Sequence, residues 1–281
     1  MILVGVLIED GSTWVAETSN ADTPTVGLAS LVAPLRQFWS DPHLALTMAD
    51  GRQVQVGAGG LPVLPPVLPE ARVICLGLNY EDHIAEGSFK NASRNTYPTI
   101  FGRWTRSLAV GGQTVRVPVD ERGLDWEGEV AAWVGSDLCE VSADEARAAV
   151  LGFSTFNDIT ARAAQKRTSQ FALGKNVDRS GPVGPLVTAD VVGDLRDGLD
   201  LETRVNGDVV QKSSTANQIY ELGDVLSYAS RTLTLRVGDI VCTGTPSGVG
   251  YAREPEWLLD DGDVVEVSVA RLGTLRTRVV R

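Results

Sequence analysis

Histidine, methionine and cysteine are the scarce residues of this chain, at two, two and three among 281. A two-histidine, one-carboxylate iron centre would need both His43 and His83, and His43 lies in a Trp39-Ser40-Asp41-Pro42 turn unrelated to any acidic cluster. Such a centre is not expected. Cys75, Cys139 and Cys242 are odd in number and too scattered for a disulfide framework, and no pair has zinc-finger spacing, so a reducing, cytoplasmic setting is expected. Basic residues are also short, 25 Lys and Arg against 36 Asp and Glu, and the net charge of −11 argues against nucleic acid and membrane surfaces as partners. No apolar run approaches the roughly 20 residues that cross a bilayer. The opening MILVGVLIED lacks the basic start and small-residue cleavage site of a secretory leader and reads as a first strand. What the chain does have is an ordinary globular composition, 43% hydrophobic and 22% charged, enough for one large core or two smaller ones.

Three Gly and four Pro between Gly57 and Pro69 exclude a helix or central strand there and mark a linker. It divides a small N-terminal unit with its linker, residues 1–68, from a larger region, residues 69–281. The small unit shows strand-like segments at Ile2 to Ile8, Ser12 to Ala16 and Gln53 to Val56, and a helical spacing from Leu28 to Trp39. In the larger region, Arg72 to Leu76 and Val130 to Val134 read as strands, and Ser142 to Glu145 as a capping box. Asn206-Gly207 signals a tight hairpin, and Ile219, Leu222, Val225, Leu226 and Ala229 recur at helical spacing. Strands with interspersed helices, without regular alternation, predict an α+β fold on mixed sheets.

Asp125-Trp126-Glu127-Gly128-Glu129 is the most informative segment. Alternate residues of a strand share a face, so three carboxylates line up and repel unless they are solvated or neutralised by a cation. An all-oxygen cluster suits Mg2+, Mn2+ or Ca2+ rather than zinc; an exposed polar strand face is the competing explanation. Four other segments carry polar residues beyond structural need. In Asn79 to Glu86, His83 and Glu86 are i,i+3 neighbours if helical, so that the carboxylate can orient the imidazole. In Phe156 to Gln165, helical spacing would place Asp158, Arg162 and Gln165 on one stripe. Lys175 is flanked by Gly174 without the spacing of a nucleotide-binding lysine. Thr243 to Gly250 combines glycines that admit close approach with hydroxyls and amides that could hold a carboxylate.

In order, the segments LGLNYEDHIAEG, PTIFGRW, LDWEGEVAAWVG, GFSTFNDITAR, LGKN, GPVGP, RVNGDVVQ, GDIVCTGTPSGVG and LLDDGDVVEV resemble the fumarylacetoacetate hydrolase family in its prokaryotic two-domain form, across residues 70 to 281. The resemblance implies a mixed β-sandwich roll with a small N-terminal accessory domain, and a homodimer acting on small 2-oxo or diketo acids. It implies Glu127, Glu129 and Asp158 as ligands of Mg2+ or Mn2+, with Ca2+ a further candidate, and leaves Asp125 outside the ligand set. Asp82 matches a position that coordinates metal in the eukaryotic hydrolase. His83 and Glu86 match a water-activating dyad, Lys175 with Arg162 and Gln165 the substrate and oxyanion contacts, and Thr245 with Gly244 the site of the substrate carboxylate. Three positions depart from the common pattern: Arg103 for Lys, Ala163 for Asp and Phe171 for Trp.

The implied reaction is hydrolysis of a carbon-carbon bond in an acylpyruvate- or fumarylacetoacetate-like diketo acid, through an enolate stabilised by the divalent cation. Decarboxylation of an oxaloacetate-like acid, or isomerisation or hydration of a 2-hydroxydienoate, would use the same site. A metal-stabilised scaffold without catalysis is the alternative from another class, and retention of His83 and Glu86 argues against it. The polar stretch from Glu86 to Pro98 is expected to act as a lid.

Overall fold

The structure, a computed structural model, describes residues 1–86 and 96–281. The N-terminal apolar runs form a meander of β1 (Ile2–Leu7), β2 (Thr13–Thr18) and β3 (Gly27–Pro34), then α1 (Leu35–Ser40), α2 (Pro42–Thr47) and β4 (Gln53–Val56). The helix predicted from Leu28 therefore starts only at Leu35. The register of β2 against β3 passes from Val15 opposite Ala33 to Ala16 opposite Leu31, leaving Val32 as a bulge. That extra residue breaks the two-residue alternation and leaves apolar spacings that mimic a helix. His43 lies on α2, away from the acidic segments.

The Gly/Pro stretch holds only β5 (Val63–Leu64), paired to β1. There follow β6 (Val73–Gly77), α3 (Glu81–Glu86), β7 (Thr99–Arg103), β8 (Leu108–Val110), β9 (Thr114–Arg116) and β10 (Gly128–Val134). Next come α4 (Ala143–Ala148), β11 (Val150–Asn157), α5 (Arg162–Lys166), α6 (Ala172–Lys175), β12 (Gly181–Val183), β13 (Leu186–Thr188) and α7 (Ala189–Val192). The chain ends with β14 (Asp200–Val205), β15 (Asp208–Ser214), α8 (Leu222–Ser230), β16 (Ile240–Cys242), β17 (Val264–Val269) and β18 (Gly273–Val280). Both halves of the capping box at Ser142 and Glu145 form, and Asn206 and Gly207 turn the β14–β15 hairpin with φ of 52° and 94°.

Among the described residues the strands form two sheets. The larger, of 13 strands, runs β4-β3-β2-β1-β13-β11-β10-β16-β6-β7 with β5, β8 and β12 beside this path; the smaller runs β15-β14-β17-β18-β9. β1 thus joins the N-terminal meander to β13 of the larger region. The small sheet covers one face of β10 and β11, where Val130 and Ala132 share a core with Leu201, Val267 and Val269. The opposite face of β10 packs Ala131 and Trp133 with Leu3, Phe38 and Trp39, whose ring stacks on Trp133 at 5.8 Å. β10 is buried on both faces, and polar side chains at its start face protein rather than water. No helix among the described residues is long and apolar enough to cross a membrane.

Candidate active site

The carboxylates of Glu127, Glu129 and Asp158 converge because β10 and β11 pair antiparallel and the pairing continues past the end of β11. Asp158 N–H donates to Glu127 O at 2.9 Å, and Asp125 and Thr160 exchange two further backbone bonds of 2.9 and 3.0 Å. Asp158 is therefore in an extended segment opposite Glu127. The helical stripe expected from Asp158 to Gln165 does not exist as such, since α5 begins at Arg162. Gly128, between the two glutamates, points the other way; a Cβ there would lie 2.3 Å from Thr203 Oγ1, so only glycine lets β10 approach the small sheet.

All three carboxylates are buried, with one oxygen from each lying within 4.8 Å of the others. The solvated-face alternative is thus set aside. Glu129 Oε2 accepts the Gly244 N–H at 3.0 Å, whereas Glu129 Oε1 is buried with no hydrogen-bond partner among the described residues. Burial, with Asp158 and Glu127 nearby, pushes the Glu129 pKa well up. An orphaned buried oxygen in an all-oxygen set of three acids fits a hard divalent cation, which would supply the missing charge and partner. A buried Glu/Glu/Asp cluster able to hold a metal is therefore present.

Three buried cations surround it. Lys175 Nζ donates to Glu127 Oε2 at 2.6 Å and Asp158 Oδ2 at 2.7 Å. Arg103 Nε bonds Asp158 Oδ1, while its terminal nitrogens reach Ser107, Ser180 and the carbonyl of Ile159. Arg162 Nη2 forms an ion pair with Glu127 Oε1 at 2.6 Å. Burial alone would raise the Glu127 pKa, but Lys175, Arg162 and nearby His83 hold it down to about 2. Lys175 is likewise kept charged against the pull of burial by Asp158 and Glu127, its pKa raised.

Asp125 stands apart from the ligand cluster. Its Oδ2 accepts from Arg162 Nε at 2.7 Å and from Tyr251 N–H at 3.2 Å, and its Oδ1 accepts from Gly250 N–H at 2.6 Å. It thereby ties α5 to the Gly-rich loop. That loop is also fastened to β10: Thr243 N–H and Oγ1 donate to Val130 O, and Thr245 Oγ1 donates to Gly128 O at 2.9 Å while accepting from Gln211 Nε2 at 2.9 Å. Gln165 Oε1 accepts from Arg162 Nη1 at 2.9 Å.

On α3, His83 Nδ1 and Glu86 Oε1 lie 2.9 Å apart, and Glu86 Oε2 accepts the Gly248 N–H at 2.7 Å. The lid expected from Glu86 to Pro98 falls mostly on residues 87–95, outside the described residues. Several contributors were not evident from the sequence. Glu121 caps α5 by accepting from Ala163 and Ala164 N–H at 3.0 and 2.7 Å, and Arg103, noted only as a departure, braces Asp158. Only a three-dimensional pairing reveals such partners, 42 and 55 residues away along the chain.

The fumarylacetoacetate (FAA) hydrolase C-terminal family matches residues 72–280. The chain belongs to the fumarylacetoacetate hydrolase family. A mitochondrial oxaloacetate tautomerase of Xenopus laevis is 33% identical over 284 residues, spanning 99% of this chain and 86% of the relative. Among solved structures, the 2-hydroxyhepta-2,4-diene-1,7-dioate isomerase of Mycobacterium marinum matches with a TM-score of 0.78 at 29% identity, covering 100% of this chain and 98% of the other. The fumarylpyruvate hydrolase of Pseudomonas aeruginosa, in complex with Mn2+ and pyruvate, matches with a TM-score of 0.68 at 30% identity, covering 78% and 91%. The family and fold inferred from the ordered motifs are borne out. Relatives in this family include a tautomerase, an isomerase and a hydrolase, so membership establishes an enzyme family and leaves the reaction to the site.

Proposed function

We propose that the protein is a divalent-metal enzyme of small 2-oxo acids, with Glu127, Glu129 and Asp158 holding Mg2+ or Mn2+ and His83 moving the proton that interconverts keto and enol forms. The observation that carries this reading is a buried imidazole, braced by Glu86 at 2.9 Å and close enough to act on Glu127, beside a carboxylate set with a bare oxygen at Glu129 Oε1. The metal, when bound, polarises the oxo group of the substrate. With Glu86 accepting from Nδ1–H, His83 Nε2 is the free base that takes a proton from the carbon beside the oxo group and returns it to oxygen. Lys175 has a third N–H beyond the two held by Glu127 and Asp158, and it donates this to the developing oxyanion. Gln165 accepts from Arg162 through Oε1, which leaves its amide N–H groups for a substrate oxygen. The Gly244 N–H is committed to Glu129, so a carboxylate role for Thr245 requires its hydroxyl to turn away from Gly128 O.

Tautomerisation of an oxaloacetate-like diacid is the first reading, supported by a tautomerase relative aligned along 99% of this chain. The sequence alone places carbon-carbon hydrolysis first. That second reading, in which His83 deprotonates water instead, is supported by the Pseudomonas aeruginosa hydrolase complex, whose pyruvate is the fragment that cleaving fumarylpyruvate leaves. The test is an assay of chelator-stripped protein reloaded with Mg2+ or Mn2+. Metal-dependent decay of enol-oxaloacetate, with solvent deuterium entering the methylene carbon, is the expected outcome. Cleavage of acylpyruvates without acceleration of the enol step would put hydrolysis first, and pyruvate formed from oxaloacetate would indicate decarboxylation. Inactivity on all of them would favour the scaffold.

A further inference from the structure

Helix α3 is six residues long, too short to hold its own shape or direction, so its orientation must come from its contacts. Two of them go to one place. Asp82 Oδ2 accepts the hydroxyl of Ser247 at 2.8 Å, and Glu86 Oε2 accepts the Gly248 N–H at 2.7 Å. Asp82 and Glu86 are i,i+4 neighbours on one helical face, and Ser247 and Gly248 are consecutive in the loop, so the two bonds form a parallel clasp. The second oxygen of Asp82 accepts the His83 N–H at 2.9 Å, so both of its oxygens have a protein partner.

The loop side of the clasp is rigid. Gly248 O accepts from Trp126 Nε1 and from Arg253 Nη2, each at 3.1 Å, and the Arg253 guanidinium lies over both the Trp126 and Trp257 rings at 5.7 and 5.6 Å. Gly248 has a φ of +102°, and a Cβ there would lie 2.1 Å from Val210 O, so only glycine lets the loop approach β15 this closely. Asp125 then fixes the next turn through Gly250 and Tyr251. Because Glu86 uses Oε2 on this fixed peptide and Oε1 on His83, the direction of the imidazole is set by the loop.

We propose that Ser247 and Asp82 are positioning residues, whose mutual hydrogen bond clasps α3 to the Gly248 peptide and so aims His83 at the substrate. The proposal rests on the role given above to His83. Neither residue touches reacting atoms, and neither belongs to the cation cluster.

The chain has two histidines, His43 on α2 and His83, so nitrogen-15 imidazole spectra of the full-length Mg2+-loaded protein resolve both, with His43→Gln as the assignment control. The wild type should show His83 as one tautomer, protonated at Nδ1. Ser247→Ala and Asp82→Ala should each move the His83 signals toward tautomer averaging and leave His43 unmoved, with kcat down about tenfold, the scale of one hydrogen bond, at unchanged KM and Mg2+ affinity. Ser247→Thr should restore both readouts, and the double alanine variant should be no worse than either single. Unmoved His83 signals in Ser247→Ala, or additive losses in the double variant, would overturn the proposal. If no substrate turns over in any variant, the reaction assigned to the site fails, while the imidazole spectra still decide the clasp.

Discussion

Lys175 and Glu127, 48 residues apart in the chain, share a buried hydrogen bond of 2.6 Å, and the same ammonium holds Asp158. It therefore bonds two of the three candidate metal ligands and partly occupies the role of a cation. Lys175→Met should lower the stability of the metal-free protein by about 3–5 kcal/mol, since buried carboxylates lose their partner. The same change removes a repelling charge and should strengthen Mn2+ binding by about tenfold or more, while turnover falls. Paired thermal unfolding and titration calorimetry measure these opposite effects; weaker Mn2+ binding in Lys175→Met would contradict the arrangement.

The opposed shifts of Glu127 and Glu129 predict an unusual pH dependence for the metal-free protein. Glu127, lowered from 4.5 to about 2, contributes stability that is present above pH 4.5 and lost as the pH falls through 2. Glu129, raised well above 4.5, contributes stability that is present below that value and lost as the pH rises through its folded pKa. Stability without metal should thus peak near pH 4.5 and decline toward neutrality. Mn2+ should reverse the decline, adding about 2.7 kcal/mol at a hundredfold excess over Kd. Melting temperatures across pH, with chelator and with Mn2+, check this, and Glu129→Gln should flatten both the decline and the metal response.

Asp125 and Glu127 lie two residues apart yet have separable roles. Asp125→Asn removes the charge facing Arg162 and should cost about 2–4 kcal/mol of stability while leaving one metal bound per chain. Glu127→Gln should abolish or severely weaken metal binding. Equal metal loss in the two variants, measured by calorimetry at neutral pH, would mean that Asp125 also coordinates.

His83→Ala should reduce enolisation of oxaloacetate, and any acylpyruvate cleavage, by about a hundredfold or more, with bound metal unchanged. Loss of CO2 from oxaloacetate needs no base and should fall less. Parallel kinetics with metal analysis on the same samples test this; full activity in the metal-loaded variant would remove His83 from the reaction.

Legibility from sequence followed the range of the interaction. The acidic alternation leading into β10, the Ser142 capping box and the Asn206-Gly207 turn were readable because each depends on neighbours within a few residues. β3 was misread as a helix because the bulge at Val32 disturbs its alternation, and pairing with β2 and β4 outweighs the local pattern. Asp158 was placed on a helix, because its extended conformation comes from bonding across to Glu127 and not from its own neighbours. Glu121 gave no motif at all, and Arg103 stood out only as a departure within PTIFGRW. Each satisfies a distant partner, and an isolated Arg or Glu in a sequence carries no sign of which group it will meet.

Strand β16, which launches the loop that meets Glu129 and Glu86, lies between β10 and β6, antiparallel to the first and parallel to the second. It is thus the last strand of its sheet in chain order and yet an interior one. Until this segment has been synthesised, the facing edges of β10 and β6 lack the strand that pairs with both. Ribosome-bound chains that stop before Ile240 would consequently leave two strand edges unpaired and lack the loop whose Gly244 and Gly248 N–H groups hold Glu129 and Glu86.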